Sequence, residues 1–369
     1  MDVIVVGAGI VGLSTAWALT KRGHAVTLLE QAETIPSPLA ASGDRHRMIR
    51  RAYGARSGYG RLIDEAFDAW DELWSDLGAS HYVEAGVMGL CQSEGDEADV
   101  FRQGFDAAGT SYERMNAQET AERYPFVDPD AIRYGFLTRE GGALMCREIA
   151  AGLADWLERS GATLRTGARV GAFDRAAGTV TLADGERLSG DHVVVTAGAW
   201  TTGLLPELAH DLTVYRTFVA YLTPPEDLAA AWRAAPAIVS IGGPSEGYAL
   251  PDVRGAGMKI GASIVKRRAD DPEANRTATR EEAQPLLDAF AVPFARLDEY
   301  DIRELVTCAY TFTRDERFYS HVADRLLAVS ACSGHAYKFG AAIGRRVAEA
   351  VGTKDWSALS AWLRAEHAG

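Results

Sequence analysis

The sequence has few cysteines, no excess of positive charge and no apolar run long enough to cross a bilayer. Its four cysteines, Cys91, Cys146, Cys308 and Cys332, show neither CxxC spacing nor a dense framework. Structural zinc and a disulfide scaffold therefore find no support, no metal is expected, and a reducing compartment fits. Lys and Arg total 38 against 51 Asp and Glu, a formal charge of -13. This balance argues against a general affinity for nucleic acid or anionic lipid, since both reward a basic surface. Internal repeats and low-complexity segments are also missing. The first strand begins at Asp2 or Val3, which leaves no room for a signal peptide, and the final Ala-Gly is no peroxisomal address. A cytoplasmic location is expected.

What is present is an ordinary globular composition, 47% hydrophobic and 24% charged over 369 residues, enough for two domains. A β-rich run from Val3 to Val6 meets Gly7-Ala-Gly-Ile-Val-Gly12, after which Leu13, Ala16, Trp17 and Leu19 recur at helical spacing. Ala25 to Leu29 supplies a second strand that ends in the acid Glu30. Strand, tight turn, helix and strand make a βαβ unit of about thirty residues that suits a dinucleotide. Gly7 lets the turn close, Gly9 lets backbone approach a pyrophosphate, and Gly12 lets helix pack on strand. Glu30 is placed to accept from ribose hydroxyls and disfavours a 2′-phosphate. On these residues alone FAD and NAD stay equally open.

Further on, Leu62 to Leu77 and Ala143 to Arg159 read as helices, and the segments from Thr163 to Thr196 read as short strands with Asp184-Gly185 as a hairpin signal. From about Leu212 to Thr313 the pattern fits an antiparallel sheet, with strands near Val214 to Thr223, Gly257 to Ser263 and Ile302 to Thr311 and a helix near Thr279 to Phe290. Arg325 to Ser330 reads as a buried strand, and Ser333-Gly-His335 as the opening of another helix that runs to about Val351. A helix N-terminus there, with Lys338, would favour an anionic flavin edge. Ala197-Gly-Ala-Trp200 is a small-residue turn that either approaches a cofactor or only turns the chain.

Taken in order, the Gly7 to Gly12 fingerprint, Arg47-Met-Ile-Arg50-Arg-Ala-Tyr-Gly54, Ala197-Gly-Ala-Trp200, Lys259, Cys308-Ala-Tyr-Thr311 and Ser333-Gly-His-Ala-Tyr-Lys338 resemble the D-amino-acid oxidase superfamily of flavoproteins. Within it the resemblance is to the branch of monomeric sarcosine oxidase and N-methyltryptophan oxidase. It implies an α/β fold with an α+β second domain: an FAD-binding, Rossmann-type, glutathione-reductase-like domain (residues 1–80, 145–211 and 318–369) and an inserted antiparallel-sheet substrate domain (81–144 and 212–317). It implies a monomer or small homo-oligomer that oxidises a secondary, N-methyl or cyclic amino acid with dioxygen as acceptor.

Residue by residue, the resemblance gives Lys259, Arg47 and Lys338 catalytic roles and places Arg50, Lys338, Tyr248 and Tyr310 around the substrate. FAD contacts fall to Gly7, Gly9, Ile10, Val11, Gly12, Glu30, Gln31, Ser42, Arg47, Met48, Val170, Ala197, Gly198, Trp200, Cys308, Gly334, His335 and Lys338, with Cys308 as the covalent attachment. Each has a plainer reading. Cys308 reads otherwise as a buried inert thiol, the arginines as a solvated ion-pairing loop, the tyrosines as core residues, and Lys259 as a solvent-facing strand residue. Ser263 stands where sarcosine oxidases carry an active-site histidine, so a larger or cyclic substrate is as admissible as sarcosine. Rivals are a dehydrogenase or tailoring enzyme of the same fold, and a flavoprotein subunit without turnover.

Overall fold

A computed structural model describes residues 1–54 and 57–366. Its first layer is a six-stranded sheet ordered 319–323, 326–330, 192–195, 2–6, 25–29 and 163–165. All neighbours are parallel except the antiparallel edge strand Tyr319–Ala323. Val3, Ile4, Val5 and Val6 are buried, as a strand covered on both faces requires. The helix Ile10–Lys21 follows at once, and its residues Ile10 and Gly12 to Leu19 are all buried. It packs on the C-terminal helix Gly340–Thr353, so closely that a Cβ on Gly344 would lie 2.3 Å from the Ser14 carbonyl oxygen.

The helix Ser57–Leu77 buries Ile63, Ala66, Trp70, Leu73 and Trp74 on one face, following the spacing of its apolar residues. Trp70 is more than filler, because its indole N–H donates to the Lys338 carbonyl at 2.7 Å and fixes the C-terminal segment.

A nine-stranded sheet forms the second layer from strands within residues 87–138 and 213–312. Its spine is the long pair Thr213–Thr223 and Asp301–Phe312, which sets Thr217 opposite Cys308 and Tyr215 opposite Tyr310. On the other side Tyr221 stands opposite Lys259, and Tyr248 faces Gly261 on the neighbouring pair. That register, set by long-range pairing, decides which side chains reach the cavity below.

A third, small sheet joins His46–Ile49, Gly142–Met145 and Tyr82–Glu84. Here one expectation is corrected: the helix expected from Ala143 begins at Cys146, because Ala143 and Leu144 are strand residues opposite Met48 and Arg47. Strand pairing outweighs the helical preference of Ala and Leu.

Candidate active site

The strand Asp2–Val6 ends at Gly7, whose φ of +100° suits glycine and whose added Cβ would lie 2.7 Å from the Thr196 carbonyl oxygen. Gly12 is tighter still, since a Cβ there would fall 1.8 Å from the Gly7 carbonyl oxygen. Gly9 differs from both. Its backbone is ordinary, with φ -69° and ψ 177°, and a Cβ would meet only the Ser42 hydroxyl at 3.4 Å. What its missing side chain leaves open is the space in front of the turn. Gly9 caps the helix without a side chain, so first-turn N–H groups point outward as an anion site requires. One of them, that of Ile10, donates to Ser42 Oγ at 3.0 Å. Glu30 is held by the N–H groups of Ala8 and Ala32 at 2.8 and 2.9 Å, and its oxygens keep further lone pairs for hydroxyl donors.

This turn opens on a cavity of about 740 Å³ that runs between the two large sheets, within the ~300–1,000 Å³ usual for ligand sites. Gly7, Gly9, Ile10, Val11, Glu30, Gln31 and Ser42 line it, as do Val170, Ala197, Gly198 and Trp200. Arg47, Met48, Arg50, Tyr248, Cys308, Tyr310, Gly334, His335 and Lys338 line it as well. Gly12 and Lys259 are not among its lining residues. Gly12 lies beneath the turn.

Lys259 is wholly buried, which rules out the solvent-facing alternative. Its Nζ lies 2.6 Å from Asp44 Oδ2 and donates to the His46 carbonyl, so it sits behind the cavity wall. The same Asp44 oxygen faces Arg47 Nη1 at 3.3 Å, and Asp44 Oδ1 accepts from the Tyr221 hydroxyl. Arg47 in turn donates to the Ala41 carbonyl at 2.9 Å. Burial pulls the Lys259 pKa below the usual lysine range, with the Asp44 carboxylate opposing. Burial also works against the Asp44 charge, but Lys259 and Arg47 hold this carboxyl far below the usual range. His46 is pushed down to about 3, first by burial and then by Lys259.

Cys308 and Tyr310, two residues apart on one strand, show the same face to the cavity. Burial pushes the Cys308 thiol up while the nearby Arg47 guanidinium opposes the shift. Tyr248 is raised to about 12 by burial, again with Arg47 opposing. Arg50 lies over the rings of Tyr53 and Phe101, 4.7 and 4.8 Å from their centroids. Lys338 donates to the His335 carbonyl at 3.0 Å and lies 5.6 Å from the Tyr53 ring centroid.

The C-terminal segment brings a second correction. Ser333, Gly334 and His335 form a turn, and the helix begins only at Gly340, after a short 3-10 turn over Tyr337–Phe339. Ala331 and Ser333 have φ of 59° and 43°, which no right-handed helix admits. The positive end of that helix therefore lies a turn further along than expected.

Some residues were not singled out by sequence. Asp44 joins three side-chain partners and the Arg45 N–H, yet in a run of arginines it looks like a surface ion-pairing residue. Val100 and Phe101 reach the cavity from the helix Glu97–Ala108. Arg276 has three buried guanidinium nitrogens without a hydrogen-bond partner and lies 5.6 Å from the Trp200 ring centroid. Among the described residues no cluster of potential metal ligands occurs, and no described helix is long and apolar enough to cross a membrane.

A glycine turn with open space before it, an acid held at the end of the second strand and a long cavity leading to buried cations fit a dinucleotide carrying a redox ring. The fold and site thus define a flavin-dependent oxidoreductase. The family model described as "FAD dependent oxidoreductase" (DAO) matches residues 2–350, and the chain belongs to that family. It is 25% identical over 355 residues to human peroxisomal sarcosine oxidase, covering 93% of this chain and 90% of the relative. With the N-methyl-L-tryptophan oxidase of Yersinia pestis (strain Pestoides F) it shares 26% over 359 residues, covering 93% and 92%. Among solved structures, the open form of NikD, an unusual amino acid oxidase of nikkomycin biosynthesis, matches with a TM-score of 0.80 at 24% identity, covering 97% of this chain and 96% of that one. L-proline dehydrogenase from P. horikoshii matches at 0.81 and 18%, covering 96% and 93%, a likeness of fold.

Proposed function

We propose that the chain oxidises the C–N bond of a small amine bearing a carboxylate: an N-methyl, secondary or cyclic amino acid. One observation carries this reading. Arg47 and Arg50, on and just beyond a single strand, open with Tyr248, Cys308, Tyr310 and Lys338 on the cavity that starts at the glycine turn. The names of the sarcosine and N-methyltryptophan oxidases support an amino-acid substrate. Residues 1–80, 145–211 and 318–369 are assigned to the FAD-binding part, and 81–144 and 212–317 to the substrate part.

FAD, when bound, would supply a two-electron acceptor for the amine and an exit for those electrons to dioxygen, giving hydrogen peroxide. The chain's share is binding, orientation and charge. Arg50 offers a planar fork to the substrate carboxylate, and Lys338 adds a second positive charge. Tyr248 and Tyr310 bound the space for the amine. Arg47 would sit beside the flavin and favour its anionic form, and Cys308 would hold it through sulfur. Lys259 supplies fixed positive charge for the dioxygen step. The amine reacts neutral, so no dedicated base is required, and the imine product hydrolyses in water. Ser263 on the cavity wall leaves room for a substrate larger than sarcosine, such as a cyclic imino acid.

The test is peroxide release on adding a panel of N-methyl and cyclic amino acids. Flavin bleaching under anaerobic conditions without peroxide in air would make the chain a dehydrogenase. No bleaching by any acid would leave a flavoprotein without this turnover. For the attachment, yellow colour should survive acid precipitation of wild type and leave the protein in Cys308→Ser, since a serine hydroxyl is far less nucleophilic than a thiolate. Colour that washes off wild type would rule the covalent link out.

A further inference from the structure

The side chains of Lys259 and Asp44 are 0% and 4% exposed and meet at 2.6 Å. Arg47 Nη1 shares the same carboxylate oxygen at 3.3 Å. Among the described residues neither cation has another ionic partner within salt-bridge distance. One buried and one partly buried cation thus share one carboxylate, and the cluster keeps a surplus of one positive charge where the dielectric is low. Of Lys259, Asp44, Tyr221, His46 and Arg47, only Arg47 lines the cavity. Arg47 is thus the one member of the cluster that faces the cavity.

We infer that Asp44 is a positioning residue that holds Arg47 on the cavity wall and sets how much positive charge the wall presents, and that Lys259 acts on the cavity through this carboxylate. The inference rests on the reading of the site given above and assigns it a control element. With Lys259 present, Asp44 is mostly committed to the ammonium, and Arg47 keeps its charge for an anion in the cavity. Without Lys259, the carboxylate falls wholly to Arg47 and cancels it. Without the Asp44 charge, both cations are uncompensated and the cavity becomes more positive.

Sulfite titration of the FAD-loaded protein reads this charge without turnover. The anion adds reversibly to bound oxidised flavin, bleaches its visible absorbance and binds more tightly as the surroundings grow more positive. Lys259→Met should weaken sulfite binding by about tenfold or more, and Asp44→Asn should tighten it by a similar factor, the scale of one unit charge at short range in a protein. The double variant restores a net charge of one on Arg47 and should return to within about threefold of wild type. A double variant as weak as Lys259→Met would show that Lys259 acts on the flavin directly and would overturn the inference, as would an unchanged constant in Asp44→Asn. Should Asp44→Asn fold poorly, the double variant still decides, because removing both partners of a buried pair is better tolerated than removing one. A preparation that takes up no FAD would fail before any titration, and would count against the site itself.

Discussion

Around the glycine turn the cavity wall is largely backbone, and the contacts of its helix end and of Glu30 close over short stretches of chain, with Thr196 Oγ1, donating to the Gly7 carbonyl, as the long-range exception. Ala8 reaches Glu30 across 22 residues and Ile10 reaches Ser42 across 32. Around Arg47 the wall is side chain; Arg47 itself is tied locally to Ala41 and Asp44, but Asp44 is tied over much longer stretches, 177 residues to Tyr221 and 215 to Lys259. The first region depends on the absence of side chains at a few positions. The second depends on two sheets holding their register while buried charges remain paired. A single change should therefore act differently in each: by filling space in the first, by leaving a charge uncompensated in the second.

The largest effect is expected at Gly9. Its φ and ψ suit any residue, and a Cβ meets nothing closer than Ser42 Oγ at 3.4 Å. Gly9→Val should thus leave a folded protein that retains no flavin, because the added methyl groups occupy the approach of the pyrophosphate. Flavin absorbance after gel filtration, read beside a circular dichroism spectrum, checks it. Full flavin retention would mean that the pyrophosphate does not pass in front of this turn.

On the other side of the comparison, Arg50→Ala should weaken binding of a carboxylate substrate by about 2–5 kcal/mol, the scale for truncating one partner of a buried charge pair. An ester or amide of the same substrate should lose little. Equal losses for acid and ester would make Arg50 a structural residue, held by the Tyr53 and Phe101 rings that it covers. Lys259→Met should slow reoxidation of the reduced enzyme by dioxygen at least about a hundredfold while changing anaerobic reduction far less. Stopped-flow measurement of both half-reactions would show the reverse pattern if Lys259 served substrate oxidation.

The two regions also differ in how far they can be read from sequence. The glycine turn, Glu30 and the strands Thr163–Arg165 and Thr179–Leu182 follow from local pattern, since their spacing repeats with the geometry it produces. The helices Glu97–Ala108 and Ala117–Arg123 carried local signals too, Asp96 capping one and the Asn116 and Glu119 capping box opening the other. The burial of Lys259 left no such trace. Gly257-Met-Lys-Ile-Gly261 reads as a strand whether its lysine faces water or Asp44, and only the register opposite Tyr221 decides. Asp44 and Arg276 stand in polar stretches that resemble solvated loops, and their partners, or lack of partners, arise from segments far away in the chain. The strand Gly142–Met145 was hidden for the same reason, as both its neighbours are distant in sequence.

The smallest effect is expected in the pH dependence of stability, at a group that belongs only to the long-range region. His46 is buried with Nδ1 unpartnered and Nε2 3.2 Å from the Pro251 carbonyl oxygen, an arrangement for a neutral ring donating from Nε2. Its pKa is lowered from 6.5 to about 3 in the folded protein by burial and by Lys259. The unfolded chain therefore binds a proton on this ring below about pH 6.5 that the folded chain refuses, so the contribution to stability is complete above 6.5 and falls as pH drops towards 3. At pH 5 the loss should be about 2 kcal/mol relative to pH 7. The Asp44 carboxyl, also depressed, adds its own loss only below its ordinary value of 3.8, outside this window. His24 and His192 are lowered as well, but they are common to wild type and His46→Asn and cancel in the difference. Urea unfolding of both proteins at pH 7 and pH 5 should then show a shallower pH dependence in the variant by about 2 kcal/mol. Parallel curves would mean that His46 takes up a proton in the folded state, and that the polar cluster behind Arg47 is open enough to water to admit one.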